Sequence, residues 1–164
     1  MTEPVREIAI AIIGEPQVGK TELIHLLNDK AESNGIATRL KSNDFDFAIW
    51  ELQTSSSAPE KLEIFSKSFL RNSRPFHRYL LIVTDSTRED VSHIKYSLRF
   101  LRESFPETRF AIVANKQDLD ESLSKSHIEK MTNLPTLEIS AIDPENRTRL
   151  VNFLSYLIGS YTGL

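Results

Sequence analysis

Eight residues constrain this chain more than any other stretch: Gly14-Glu15-Pro16-Gln17-Val18-Gly19-Lys20-Thr21. Their spacing is G-x-x-x-x-G-K-[ST]. The β-branched apolar run Ile8-Ala9-Ile10-Ala11-Ile12-Ile13 precedes them. Glu22-Leu23-Ile24-His25-Leu26-Leu27 follows, with apolar residues that fit one face of a helix. Strand, loop and helix are the context the pattern requires. In such a loop successive backbone N–H groups and the helix N-terminus point at one spot and favour an anion there. Lys20 is expected to reach the outer phosphates of a nucleotide and stabilise their charge, and the Thr21 hydroxyl to take one position on Mg²⁺. The alternative is a chance match in a Gly-containing turn. With Gly at about 7% of average usage, two glycines plus Lys and Ser/Thr at fixed offsets seldom coincide in a short chain.

The 164 residues amount to a single domain, residues 1–164, with a formal net charge of −3. A slightly acidic chain offers no electrostatic footprint for nucleic acid or anionic lipid. With no cysteine, disulfides, Cys-based metal sites and prenyl or palmitoyl attachment are excluded. Thr2 excludes N-myristoylation of this sequence. No apolar run approaches the ~20 residues of a membrane helix, and residues 1–7 are too short and polar for a secretory signal. The expectation is a cytoplasmic protein with no direct lipid anchor.

Further apolar runs read as strands. Ala37-Thr38-Arg39-Leu40 and residues 45–52 flank Lys41-Ser42-Asn43-Asp44, a hairpin pattern. Residues 79–83 and 110–114 are the near-continuous apolar type of strands buried on both faces. Leu137-Glu138-Ile139 is a short last strand. Ser57-Ala58-Pro59-Glu60 opens a helical segment running to about Asn72. Ser86-Thr87-Arg88-Glu89 is a capping-box pattern ahead of residues 91–104. Asp143-Pro144 gives a cap and first-turn proline for a final helix; residues 123–131 form a shorter one. The reading is an α/β sheet, mostly parallel with one antiparallel strand, whose ligand site lies beyond the carboxyl ends of the strands.

Asn115-Lys116-Gln117-Asp118 follows directly on the run 110–114. A carboxylate there can accept two hydrogen bonds from the N1–H and 2-amino edge of guanine, whereas adenine would leave it unpaired, and unmatched buried polar groups are costly. Asn115 would hold the loop and reach the ring-nitrogen side, and the Lys116 stem would lie along the base. Ser140-Ala141, past the last strand, could offer a backbone N–H to the guanine O6. The plainer alternative is that Asn115 and Asp118 cap a turn.

These residues resemble the Ras-like small GTPases, most closely their Arf/Sar branch. Ala114-Asn115-Lys116-Gln117-Asp118-Leu119 is similar to the Arf guanine motif, and Asp85-Ser86-Thr87-Arg88-Glu89 to the stretch after the fourth strand. Phe47-Ala48-Ile49-Trp50-Glu51 is similar to the third strand ending in Trp-Asp. The resemblance spans about residues 8–161. It implies the P-loop small-GTPase fold, with a six-stranded mostly parallel sheet, one antiparallel strand and about five flanking helices. It also implies GTP/GDP with Mg²⁺, and switching through effector or regulatory proteins.

The sequence departs from that family where the γ-phosphate is sensed and cut. In place of Asp-x-x-Gly-Gln stand Glu51-Leu52-Gln53-Thr54-Ser55. Glu51 replaces the Asp that holds Mg²⁺ through water, Thr54 the Gly that meets the γ-phosphate, and Ser55 the Gln that orients water. No clear catalytic glutamine remains. Thr38 stands at about the right distance after Thr21 to be the switch threonine on Mg²⁺; a plain strand residue is the equal alternative. Ser-rich residues 54–57 read as a loop. Arg71, Arg74, His77 and Arg78 read as a solvated basic face, with a partner patch or an arginine lent to a neighbouring subunit as the sharper alternative, which leaves a dimer open. Only residues 1–7 precede the first strand, so the Arf membrane helix is not expected. The expectation is a guanine-nucleotide switch with slow hydrolysis. The rivals are a pseudo-GTPase module holding nucleotide constitutively and, opposed by Asp118, a P-loop kinase or ATPase.

Overall fold

The computed structural model describes residues 6–27, 38–41, 45–52 and 58–162. Alternation along β1 (Arg6–Ile13) sets the architecture. Ile8, Ile10 and Ile12 face one layer, Ala9, Ala11 and Ile13 the other. The bulky isoleucine face packs against α1 (Lys20–Leu27) and α5 (Asn146–Thr162) through Leu23, Leu27, Leu150 and Leu154. The alanine face leaves room for large rings. There α2 (Pro59–Arg71) and α3 (Arg88–Ser104) bring Phe69, Leu62 and Val91, with Phe105 just beyond α3. A strand that buries both faces in this way must be central and parallel.

The remaining strands are β2 (Thr38–Lys41), β3 (Phe45–Glu51), β4 (Arg78–Thr84), β5 (Arg109–Ala114) and β6 (Thr136–Glu138), and α4 (Lys125–Thr132) lies between β5 and β6. The sheet order is β2-β3-β1-β4-β5-β6. Only the β2–β3 pair is antiparallel, with Thr38 opposite Ile49 and Lys41 opposite Asp46. The chain leaves β1 toward β3 on one side and toward β4 on the other. That reversal opens a crevice at the carboxyl end of β1, where residues 14–19 connect to α1. The expected sheet and helices are therefore present. The hairpin turn at residues 42–44 lies outside the described residues.

Three local expectations are corrected. The α3 cap is Thr87, not Ser86: its hydroxyl accepts from the Asp90 N–H at 3.2 Å, while Ser86 takes a positive φ of 67°. The last helix begins at Asn146, because Asp143 first closes a turn, accepting from the N–H groups of Glu145 and Asn146 at 3.0 Å each. Arg78 is no part of a solvated basic face. It is buried, and its guanidinium donates to the carbonyls of Leu70 and Ser73, both at 2.8 Å, and to the Ser73 hydroxyl at 2.7 Å. A cation at the carboxyl end of α2 satisfies orphan carbonyls and complements the helix dipole.

Candidate nucleotide site

The loop after β1 is held open by two glycines for different reasons. A Cβ on Gly14 would lie 2.6 Å from the Val83 carbonyl oxygen of β4, so no side chain fits there. Gly19 has φ +105°, and its Cβ would fall 2.1 Å from the Asn115 amide nitrogen. Between them Gln17 also takes a left-handed φ of 68°. A left-handed residue followed closely by a helix N-terminus is the geometry that aims backbone N–H groups inward.

Lys20, the first residue of α1, is buried and folds back over this loop. Its Nζ donates to the carbonyl oxygens of Gly14 at 2.7 Å and Glu15 at 2.9 Å. Burial pushes the ammonium below its ordinary value, and the nearby charges of Glu51, Glu15 and Asp90 oppose that shift. A polyanion in the loop would oppose that shift and favour the charged ammonium.

Asn115, just past β5, is the hub. Its amide nitrogen donates to the Val18 carbonyl at 2.8 Å, and its amide oxygen accepts the Ala141 N–H at 2.8 Å. Three loops are thereby tied by one side chain that is 4% exposed. Its backbone is pinned as well, N–H to Thr84 O at 2.9 Å and C=O from the Ser86 hydroxyl at 2.5 Å. Gln117 braces the same loop, donating to Ser86 Oγ at 2.9 Å and Leu123 O at 3.1 Å. Lys116 sits at φ 59°. Asp118 is exposed, with one carboxylate oxygen accepting from the Ser140 hydroxyl at 2.9 Å. The sequence-predicted base-reading residues thus converge from two loops. Of the two backbone N–H groups at Ser140 and Ala141, that of Ala141 donates to Asn115 Oδ1.

Thr21 and Glu51 come together across the mouth of the crevice. The Thr21 hydroxyl donates to Glu51 Oε1 at 3.2 Å. Two hard oxygens side by side are a fitting donor set for Mg²⁺, which is usually bound by one or two protein oxygens together with substrate phosphates. Among the described residues no group of three or more His, Cys, Asp or Glu is placed to hold a metal unaided. Thr38 does not join them. It opens β2 opposite Ile49, two residues along β3 from Glu51, and is buried. At ~3.3 Å per residue that is ~7 Å along the strand, and among the described residues its hydroxyl makes no hydrogen bond to either partner. Gln53, Thr54 and Ser55 lie outside the described residues.

Two acidic features of the loop went unread in the sequence. Glu15 faces His93 of α3 at 3.6 Å, and Asp90, also on α3, is mostly buried with Oδ2 lacking a hydrogen-bond partner. Burial raises the Asp90 carboxyl above the usual range. The Thr84 hydroxyl opposes the shift, and the charges of Asp85 and Glu15 add to it. Between the unfolded value near ~3.9 and that raised value, the folded chain keeps a proton the unfolded chain has lost. Stability therefore falls as pH rises through this window, and the penalty persists above it. Asp90→Asn is expected to stabilise the fold at pH 7 by on the order of 1 kcal/mol, read as a higher melting temperature, with the gain vanishing near pH 4. Melts of both proteins from pH 4 to 8 check it; an equal or lower melting temperature at pH 7 refutes it.

A six-stranded sheet with this order, a lysine-bearing loop at its reversal point and an Asn-Lys-x-Asp loop after β5 define a P-loop protein of the small-GTPase class. The chain belongs to the family described as "Arf: ADP-ribosylation factor family", whose sequence model matches residues 1–159. Among solved structures, the FeoB G-domain from Methanococcus jannaschii is similar in fold, with a TM-score of 0.66 at 16% identity. That match covers 94% of this chain and 99% of the other. No curated protein sequence matches this one.

Proposed function

We propose that residues 1–164 form one guanine-nucleotide-binding domain that exchanges and releases nucleotide through partner proteins, with hydrolysis slowed by its altered second switch. The observation that carries this reading is Asn115, which joins the phosphate loop at Val18 to the 140–141 loop at Ala141. Phosphate and base would thus be gripped by one connected framework. Gly14, Glu15, Pro16, Gln17, Val18 and Gly19 would cradle the phosphates, with Lys20 poised on its carbonyl rests to neutralise them. Asp118, oriented by Ser140, would take the guanine edge and Lys116 one face of the base. Thr21 and Glu51 would hold Mg²⁺, which when bound neutralises charge on the outer phosphates.

Nothing at the offset of Ser55 can orient an attacking water as a glutamine amide does, so this chain lacks the group that, with an arginine finger, supplies most of the rate. A constitutive, non-switching nucleotide module is the second reading. Its support is Thr38, which is buried and paired with Ile49 in the β2–β3 ladder. In the constitutive reading the nucleotide would stabilise the fold by linkage alone. Among the described residues no helix is long and apolar enough to cross a membrane.

One set of measurements tests both readings. The nucleotide released from the purified protein is identified, then affinities for GDP and a non-hydrolysable GTP analogue are measured with and without Mg²⁺. The expected result is guanine nucleotide, little competition from ATP, and GTP turnover below about 10⁻⁴ s⁻¹, under the unassisted rate of Ras. Release of adenine nucleotide overturns the base assignment, and faster turnover overturns the slow-hydrolysis clause. Equal affinity for the two guanine ligands favours the constitutive module.

A further inference from the structure

The groove between α2 and α3 lies away from the crevice and has no part in holding nucleotide. It encloses about 480 Å³. Its apolar surface comes from Pro59, Leu70, Phe100 and Pro106, and its rim carries Glu60, Glu63 and Glu103. Among the described residues that line it, Lys67 is the single cation, and it is held by Glu63 at 2.7 Å. Glu103 pairs with Arg99 at 3.4 Å. Both pairs are exposed and worth little, so either carboxylate can be turned to another cation at small cost.

Apolar surface continues beyond the groove. Phe100 is 46% exposed, and Tyr96, one turn earlier on the same α3 stripe, is 84% exposed. Single exposed apolar residues are ordinary; Phe100 in the groove and Tyr96 a turn away on its stripe extend the apolar surface beyond it. The groove is also pre-formed. Phe69 and Phe65, both on α2, meet Phe105, just beyond α3, edge-on at 5.9 and 6.3 Å, which ties α2 to the end of α3 beneath it.

We propose that this groove docks a basic amphipathic helix of a partner protein. A groove walled by helices of 13 and 17 residues suits a third helix that inserts apolar residues at i, i+3/i+4 and i+7. The three rim carboxylates select lysine or arginine along its edges. They would repel an anionic bilayer, and would face their own kind in a second copy of the chain. The proposal is independent of the nucleotide reading.

The test uses the full-length ¹⁵N-labelled protein and two synthetic 18-residue helices, leucine along one face and either lysine or glutamate elsewhere. The lysine helix is expected to bind with amide shifts concentrated at Leu70, Phe100 and Ser104, and the glutamate helix not to bind. Phe100→Glu, and separately the double variant Glu63→Lys/Glu103→Lys, are each expected to weaken binding at least tenfold. Thermal melts establish that these exposed substitutions leave the chain folded. The proposal is overturned if shifts scatter over the surface, if both variants bind as the parent does, or if the glutamate helix binds equally. A concentration-dependent dimer dissolved by Phe100→Glu would assign the groove to a second copy and also overturn it.

Discussion

Asn115→Ala is expected to lower stability by about 2–5 kcal/mol, because it leaves the buried Val18 carbonyl and Ala141 N–H without partners at ~1–3 kcal/mol each. For a chain of this length that corresponds to a fall in melting temperature of roughly 5–15 °C. Nucleotide affinity should fall with it, since the loops at Val18 and Ala141 are no longer tied together. The same side chain explains Gly19. An alanine there would place its Cβ 2.1 Å from the Asn115 amide nitrogen and at a φ of +105°, so Gly19→Ala alone should also be severely destabilising. In the Asn115→Ala background the collision is gone and only the backbone strain remains. The two substitutions should therefore be strongly non-additive, with a coupling of about 1–3 kcal/mol. Denaturant titration of both singles and the double measures it. Additivity within about 0.5 kcal/mol would show that Gly19 is required for φ alone.

This hub also marks how far the sequence could be read. The spacing of Gly14, Gly19, Lys20 and Thr21 was legible because each answers to a local need: close approach, positive φ, a cation and a hydroxyl at one helix start. The apolar run 8–13 was legible as the strand ahead of the loop for the same reason. What could not be read depends on partners distant in the chain. Glu15 was read only as a phosphate-loop position, and its contact with His93 of α3 has no signal in the sequence. Arg78 looked like part of a solvated patch until the end of α2 presented its carbonyls to it. Thr38 was undecided because sequence distance from Thr21 does not give register; the antiparallel pairing with Ile49 does. Ser86 satisfies a capping pattern, yet its hydroxyl is used by Asn115 O, and Thr87 takes over the cap.

Asp118→Asn is expected to exchange guanine for xanthine preference, and this is the sharpest test of the base contact. Asp118 presents two acceptor oxygens, one of them also receiving the Ser140 hydroxyl at 2.9 Å. Each carboxylate oxygen has a second lone pair, so the pair can still accept N1–H and the 2-amino group of guanine. An asparagine amide keeps one acceptor and turns the other into a donor. Against guanine, that donor meets the 2-amino group, and the mismatch in a hydrogen-bonded site should reduce GTP affinity by about 10²–10³-fold. Against xanthine, whose position 2 carries a carbonyl, the same donor is paired and affinity recovers. Because Asp118 is exposed, the substitution should leave the stability of the nucleotide-free chain within about 0.5 kcal/mol of the parent, which separates recognition from folding. Ser140→Ala supplies the companion measurement: it loosens the carboxylate without changing its chemistry, so GTP should weaken several-fold with no gain for xanthine nucleotide. Competition binding of GTP, XTP and ATP to the three proteins reads all of this. Unchanged GTP affinity in Asp118→Asn would remove Asp118 from the site and leave its contact with Ser140 as its whole role.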